Sequence, residues 1–111
     1  MNKRIYKVLE CKVGRGAFSG ERLVTVKLPE EEVISLVPEG YCWSDKGEHK
    51  PRAIPGQARP GFVAVRFWRD ASDPDPTVGT VYVEFPDEVW RYVPATMLRE
   101  VPAGDWSSYL I

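Results

Sequence analysis

Residues from which most catalytic and metal sites are built are scarce in this sequence. Among 111 residues there are one histidine, His49, and two cysteines, Cys11 and Cys42. A zinc site needs three or four converging ligands, and these three residues have no ligand-like spacing. No phosphate-cradling glycine loop and no nucleophile elbow are present. We therefore expect no metal, no cofactor and no catalytic residue, and we favour a protein that is not an enzyme.

Long apolar runs are also missing. No window approaches the roughly 18 apolar residues of a membrane-spanning helix, and the start, "MNKRIYKVLE", has no apolar stretch long enough for a signal peptide. The two cysteines form no C-x-x-C motif and have apolar neighbours, so they are expected to pack rather than react. These absences predict a cytoplasmic protein with reduced thiols and no membrane partner.

The whole chain has almost no net charge, but each of its halves carries one. The net charge of −1 gives no overall attraction to nucleic acid. Residues 1–60 carry 11 Lys+Arg against 8 Asp+Glu, whereas residues 61–111 carry 4 against 8. Two interpretations stay open. The halves complement each other through individually weak surface pairs, or the basic first half meets an acidic partner.

One segment of the sequence occurs twice in similar form. "VTVKLPEEEVISLVP" (24–38) aligns with "VYVEFPDEVWRYVP" (81–94) when one gap is opened at Glu32, and seven of the fourteen aligned positions are identical. Extending the alignment places Cys42 opposite Leu98, which predicts that Cys42 is buried. We interpret the two segments as a duplicated supersecondary unit.

The remaining pattern predicts an all-β fold. "LPEEEVISLVPEG" alone would suit a helix with proline at its first position, but its second copy, "EVWRYV", is β-branched and aromatic and favours a strand. We therefore predict strands for both copies, bounded by prolines. Further strands are also predicted at 5–13, 22–28, 62–68 and 80–85.

These elements predict one compact all-β domain, residues 1–111, with pseudo-two-fold symmetry. Its two repeats cover about 5–45 and 62–101, and a connector rich in proline, glycine and charge, 46–61, joins them. The apolar C-terminal tail, 102–111, is expected to dock on the parent barrel or to add a strand to a second copy. Whether the repeats form one barrel or two stays open.

"RYVPATMLREV" (91–101) resembles the closing segment of Src-homology-3-like (SH3-like) barrels. In that superfamily a strand runs into Val-Pro, one helical turn follows, and a short last strand completes the barrel. The resemblance implies a small barrel architecture built from two tandem, diverged units. In peptide-binding members the proline and an aromatic residue three positions later line a groove for polyproline ligands. Pro94 matches that pattern, whereas Met97 stands at the aromatic position.

Candidate binding residues follow from differences between the copies. The second copy replaces aliphatic residues by Trp90 and Tyr92, and amphipathic rings are favoured at recognition sites. The candidate site for a partner or ligand comprises Trp43, Trp90, Tyr92, Pro94 and Met97. The leading hypothesis is a non-catalytic binding or protein–protein interaction module with an unknown protein partner or self-association as a homodimer.

Two alternatives remain. The first is single-stranded nucleic-acid binding, because small barrels bind single strands through aromatic rings beside a basic groove. The acidic second half disfavours it. Its basic residues lie in and beside the connector: Lys46, Lys50, Arg52 and Arg59. The second alternative is a small-ligand-binding protein or enzyme with a pocket at Trp90 and Tyr92.

Overall fold

The computed structural model describes residues 3–69 and 79–102 of the chain. These residues form eight strands: β1 (Lys3–Arg15), β2 (Glu21–Lys27), β3 (Glu32–Pro38), β4 (Cys42–Ser44), β5 (Arg59–Arg69), β6 (Thr80–Glu84), β7 (Trp90–Pro94) and β8 (Leu98–Arg99). Single 3₁₀ turns follow the Val-Pro sequences of the two copies, at Glu39–Tyr41 and Ala95–Met97. The all-β prediction is confirmed, and both copies of the duplicated segment contain an extended strand.

All eight strands belong to one antiparallel sheet that is curled into a half-barrel. Its main path runs β3-β2-β1-β5-β6-β7, so β3 and β7 are the two ends of that path. The longest ladder joins β1 to β5, from Lys3 opposite Arg69 to Val13 opposite Arg59. The short strands lie off the path, where β4 pairs with β5 and β8 pairs with β1.

Alternation along the strands places valines on the concave face. In β2 the buried positions are Arg22, Val24 and Val26, with more exposed residues between them, as expected for a strand with period two. The same alternation in the other strands fills one apolar cluster, called here the main core: Leu9, Val13, Val24, Val26, Val33, Val37, Cys42, Val63, Val65, Val83, Phe85 and Val93.

The two central strands are also covered on the opposite face, called here the outer face. Val8, Trp43 and Ala64 are buried there in a second, smaller cluster, and Tyr41, Phe62 and Val101 pack against it. Strand β4 contributes to both faces, because Cys42 belongs to the main core and its neighbour Trp43 to this outer cluster. Around Val8 and Ala64 the central strands are therefore buried on two sides.

Close approach between β4 and β5 requires a glycine. A Cβ atom on Gly61 would lie 2.5 Å from the backbone oxygen of Trp43, a separation that no ordinary side chain tolerates. In this ladder Gly61 of β5 pairs with Ser44 of β4, and Val63 of β5 pairs with Cys42 of β4. Glycine thus allows the chain segment that carries Trp43 to lie tightly on β5.

The two long hairpins differ in their turns. The β2–β3 hairpin closes with a bond from the Leu28 N–H to the Glu31 oxygen (2.8 Å), so two residues form its tip. The β6–β7 hairpin closes from the Phe85 N–H to the Val89 oxygen (3.0 Å), so three residues form its tip. The last of these, Glu88, has a φ of 67°, the left-handed conformation of a three-residue hairpin loop.

Two of the sequence predictions concern the C-terminal tail and membrane-spanning helices. The prediction for the C-terminal tail falls almost wholly outside the described residues, which end at Pro102. None of the described residues belongs to a helix long and apolar enough to cross a membrane.

Candidate functional site

Three aromatic side chains of the β6–β7 hairpin form a group that we call the aromatic ladder: Tyr82, Trp90 and Tyr92. The ring centroids of Tyr82 and Trp90 are 5.2 Å apart with an interplanar angle of 27°. Those of Tyr82 and Tyr92 are 4.6 Å apart. Tyr92 is 69% exposed and Tyr82 49% exposed. Stacked rings of this size with so much exposed surface are a frequent feature of binding sites.

The strand register explains why these rings meet. Tyr82 lies opposite Tyr92, and Glu84 lies opposite Trp90. Because alternate residues point to opposite faces, all four side chains lie on the outer face, and the intervening Val83 and Val93 lie in the main core. Tyr82 stands between two residues of β7 and contacts both rings. We did not predict a role for Tyr82 from the sequence, although its position between inward-facing valines is a usable signal.

Half of the backbone groups of β7 are not paired with a strand of the described residues. Backbone bonds from Phe85 to Val89 and from Ala95 to Gly79 (2.9 Å) mark pairs that bond across the hairpin. Such pairs recur every second residue in an antiparallel ladder. The N–H and C=O groups of Trp90 and Tyr92 therefore point away from β6, toward an edge on which no described strand pairs. Pro94 has no N–H group, so it ends this free edge.

The inner side of β7 carries an ion-pair network centred on Arg91. Its guanidinium lies 3.3 Å from Glu31 of the β2–β3 turn and 3.1 Å from Asp87, and it covers the ring of Phe85 at 4.6 Å. Partial burial alone would raise the pKa of Asp87, but hydrogen bonds from Arg91 and from the Val89 N–H outweigh it and lower that pKa. Asp87 thus stays ionised, and the network links the two hairpin turns.

Of the remaining predicted partner-binding residues, Pro94 follows Tyr92 on the outer face of β7, whereas Met97 and Trp43 lie elsewhere. Met97 is partly buried and packs against the main core, and Pro94 is of intermediate exposure at the end of β7. Trp43 is 0% exposed, and its ring stacks on His49 at 4.9 Å. Its Nε1 is buried without a hydrogen-bond partner in the described structure. A ring with no exposed surface offers nothing for a partner to contact, so we do not carry Trp43 into the proposed site.

The basic residues of the connector lie on segments beside β4 and at the start of β5. The connector folds back over β4 through a bond from the Lys50 N–H to the Cys42 oxygen (3.1 Å). Arg59 begins β5, whereas β6 pairs with β5 at Arg66. Seven residues of extended chain separate those positions by roughly 23 Å. Lys46, Lys50, Arg52 and Arg59 are exposed, but Arg59 is far from the point at which the aromatic hairpin joins β5.

The edge at β3 resembles the edge at β7. Ile34 and Leu36 are 60% and 51% exposed, and Leu23, which is opposite Leu36, is 37% exposed. Bonds from Leu28 to Glu31 and from Glu39 to Gly20 mark the bonded pairs of β2–β3, so Ile34 and Leu36 also direct their backbone groups outward. We call Leu23, Ile34 and Leu36 the aliphatic stripe. The sequence alignment placed Ile34 and Leu36 opposite Trp90 and Tyr92 but gave no reason to expect their exposure.

Other chemistry is limited in the described ranges. A cleft on the outer face lies beside the Arg66–Glu84 ion pair, and neither Trp90 nor Tyr92 lines it. Within residues 3–69 and 79–102, no group of three His, Cys, Asp or Glu side chains is placed to hold a metal ion. Burial raises the pKa of Cys42 to about 12. Burial, and then the nearby Cys42, raise that of Cys11, so both thiols stay protonated at neutral pH.

Comparisons with protein-family models, with curated proteins and with solved structures found no match for this chain.

Proposed function

We propose that this protein is a non-catalytic interaction module that binds an extended segment of another protein along β7. The observation that carries the proposal is that Trp90 and Tyr92 each present two recognition elements at one edge. Their rings form the ladder with Tyr82, in which both tyrosines are exposed and Trp90 is partly buried. Their backbone groups point away from β6. Addition of a strand to such an edge combines main-chain hydrogen bonds with side-chain contacts at alternate residues.

The chemistry around this edge also restricts the partner. Pro94 ends the row of donors on one side, so the added strand is short. On the other side, the turn carries Asp87, held in its ionised form by Arg91, and the exposed Glu88. A segment with a lysine or arginine near this turn has a favourable charge interaction, and apolar residues suit the ladder.

The test begins with capture and ends with a purified pair. Immobilised wild-type protein, Tyr92→Ala and Phe18→Ala are incubated with the same cell extract, and retained proteins are identified and purified. Phe18 is 75% exposed and lies outside the ladder, so it controls for loss of an exposed ring. We expect Tyr92→Ala to weaken binding of the purified partner at least about tenfold, because central aromatic residues dominate interfaces. Phe18→Ala should bind like the wild type.

A synthetic copy of the bound segment then tests the backbone contacts. Two methylated versions of this peptide are compared, one N-methylated at its odd-numbered residues and one at its even-numbered residues (the two methylation phases). One version should lose binding and the other should bind nearly normally, because only alternate N–H groups of the added strand face β7. Equal affinity of Tyr92→Ala and wild type, or equal tolerance of both methylation phases, contradicts the proposal.

Single-stranded nucleic acid is a second candidate, because an exposed aromatic row on a sheet face can stack bases. The distance of Arg59 from the point where the hairpin meets β5 is unfavourable to it. A 15-nucleotide oligothymidine at low salt is a suitable probe. Affinity that falls steeply with salt and is reduced by both Tyr92→Ala and Lys50→Glu would favour this function. No binding at low salt, or binding that salt does not change, would argue against it.

For the architecture we propose two diverged SH3-like units related by a pseudo-two-fold axis. Three observations support this proposal. A strand, a 3₁₀ turn and a short strand follow one another in both halves. The short strand of each half pairs with the long strand of the other, β4 with β5 and β8 with β1. Leu9 of β1 and Val63 of β5 pair with each other. Leu9 also pairs with Leu98 of β8, and Val63 also pairs with Cys42 of β4.

A further inference from the structure

We propose that a second copy of this chain binds at the β3 edge, in an antiparallel two-fold pairing centred on Ser35. This surface is distinct from β7, so the proposal is independent of the partner proposed above. Two observations motivate it. The aliphatic stripe is exposed on a strand that pairs with only one described neighbour, and the sequence of β3 is self-complementary in this register.

The pairs in this arrangement are all compatible. With Ser35 opposite its own counterpart, Ile34 faces Leu36 of the other copy, and Val33 faces Val37. Glu32 faces Pro38, so no two charged residues of β3 are directly opposed; the next position, beyond the strand, brings Glu31 toward Glu39 of the other copy. Opposite serines and aliphatic pairs are favourable cross-strand neighbours. On the outer face, the two aliphatic stripes become one continuous apolar surface of six side chains, three from each copy.

The backbone supports the same register. Ile34 and Leu36 direct their N–H and C=O groups to the free edge, as derived above from the bonds of β2–β3. The symmetric arrangement contains the Ile34–Leu36 pair twice. Two hydrogen bonds join the residues of each pair, which gives four bonds. The Glu32 N–H of each copy adds one bond to the Pro38 oxygen, which gives six. Pro38 has no N–H group, so the ladder ends there.

The same operation at β7 is unfavourable. A two-fold pairing that bonds Trp90 to Tyr92 places Arg91 directly opposite its own counterpart, and like charges directly opposed destabilise a strand pair. Arg91 is also engaged with Glu31 and Asp87. The charge distribution therefore favours self-association at β3 and leaves β7 for a different molecule.

Sedimentation equilibrium over roughly 1 µM to 1 mM, the range of weak to moderate association, tests for the dimer. We expect wild type to form a reversible dimer and Leu36→Lys to dissociate at least about tenfold more readily. Phe18→Lys is the matched control, because it introduces the same charge at an exposed apolar position of the β1–β2 loop, outside the proposed strand pairing, and it should dimerise normally. A wild-type monomer throughout this range overturns the proposal.

Cross-linking tests the register without weakening the fold. Directly opposed residues of a non-bonded antiparallel pair have Cα atoms about 4.5 Å apart, which permits a disulfide. Ser35→Cys should therefore give a covalent dimer on mild oxidation. Ile34→Cys should not, because its counterpart is displaced by two residues along the strand and lies beyond the roughly 7 Å limit. Equal cross-linking at both positions contradicts the register, and a dimer abolished by deleting residues 105–111 but unaffected by Leu36→Lys assigns the interface to the tail.

Discussion

At the scale of single residues, Arg22 makes the most concentrated set of contacts. Its guanidinium donates to the backbone oxygens of Pro51, Ser19 and Glu21 at 2.8–3.1 Å and to the carboxylate of Glu39 at 3.1 Å. The side chain is only 9% exposed. It thus joins the β1–β2 loop, the first 3₁₀ turn and the connector through one planar group, a geometry that lysine cannot reproduce.

We predict that Arg22→Ala lowers the free energy of unfolding by about 3 kcal/mol, because three carbonyl oxygens and a partly buried carboxylate lose their donor. Arg22→Lys should recover only part of this loss. Urea denaturation followed by tryptophan fluorescence measures both variants. Arg52→Ala, at an exposed arginine of the same connector, should change stability by less than about 0.5 kcal/mol. A similarly small effect of Arg22→Ala would show that the contacts are not stabilising.

The buried thiols predict a dependence of stability on alkaline pH. Burial raises the pKa of Cys42 from its ordinary value of 9.0 to about 12, so the folded state keeps a proton that the unfolded state loses. The stabilisation is complete below pH 9 and is lost as the pH rises toward 12. Between pH 8 and 10 we expect wild type to lose about 1 kcal/mol more than Cys42→Ala. Urea midpoints at both pH values measure this, and parallel losses would contradict the prediction.

Residue identity alone was a poor guide to Trp43. The sequence suggested a binding role because Trp43 precedes a basic connector, but the ring is fully buried. Its burial depends on the second apolar cluster on the outer face of β1 and β5. Such a cluster arises from the pairing of distant strands, and local hydrophobic alternation does not reveal it.

At the scale of elements, adjacent residues of β7 should respond very differently to truncation. Val93 is 0% exposed, whereas Tyr92 is 69% exposed. We predict that Val93→Ala costs about 2 kcal/mol through lost apolar contacts and a cavity. Tyr92→Ala should cost at most about 1 kcal/mol, the contribution of its ring contact with Tyr82. Chemical denaturation of both variants measures the difference, and comparable losses would show that the rings are part of the core.

Most strands were predictable because their patterns are local. Alternation indicated β1, β2, β5 and β6, and the second copy of the duplicated segment correctly favoured a strand over a helix at β3. The partners of the short strands were not predictable, because β4 and β8 pair with strands distant in sequence. Tyr82 was missed for the same reason, since its contacts with Trp90 and Tyr92 depend on the register of β6 on β7.

At the scale of the whole molecule, neither half completes its own sheet. β4 uses β5 as its neighbour, and β8 uses β1. The longest ladder, β1–β5, also joins the two halves. Each half separately therefore exposes edges and apolar surface that the other half covers.

We predict that fragments 1–56 and 57–111, separated at an exposed turn of the connector, are each without a cooperative unfolding transition. Mixed in equal amounts they should assemble and regain one. Circular dichroism during thermal and urea denaturation measures this. A cooperative transition of fragment 1–56 alone would show that the first half folds independently. A mixture with Gly61→Leu in the second fragment is a control that should fail to assemble, because β4 cannot approach β5.

Pro38 and Pro94 close both edge strands at corresponding positions. An exposed strand edge with a full row of donors invites molecule after molecule to add without limit, which leads to fibrils. Here each edge offers only a few consecutive donors before a residue that has none. We therefore expect strand addition at these edges to stop at short ladders, which would let the protein expose tyrosine, isoleucine and leucine without forming fibrils.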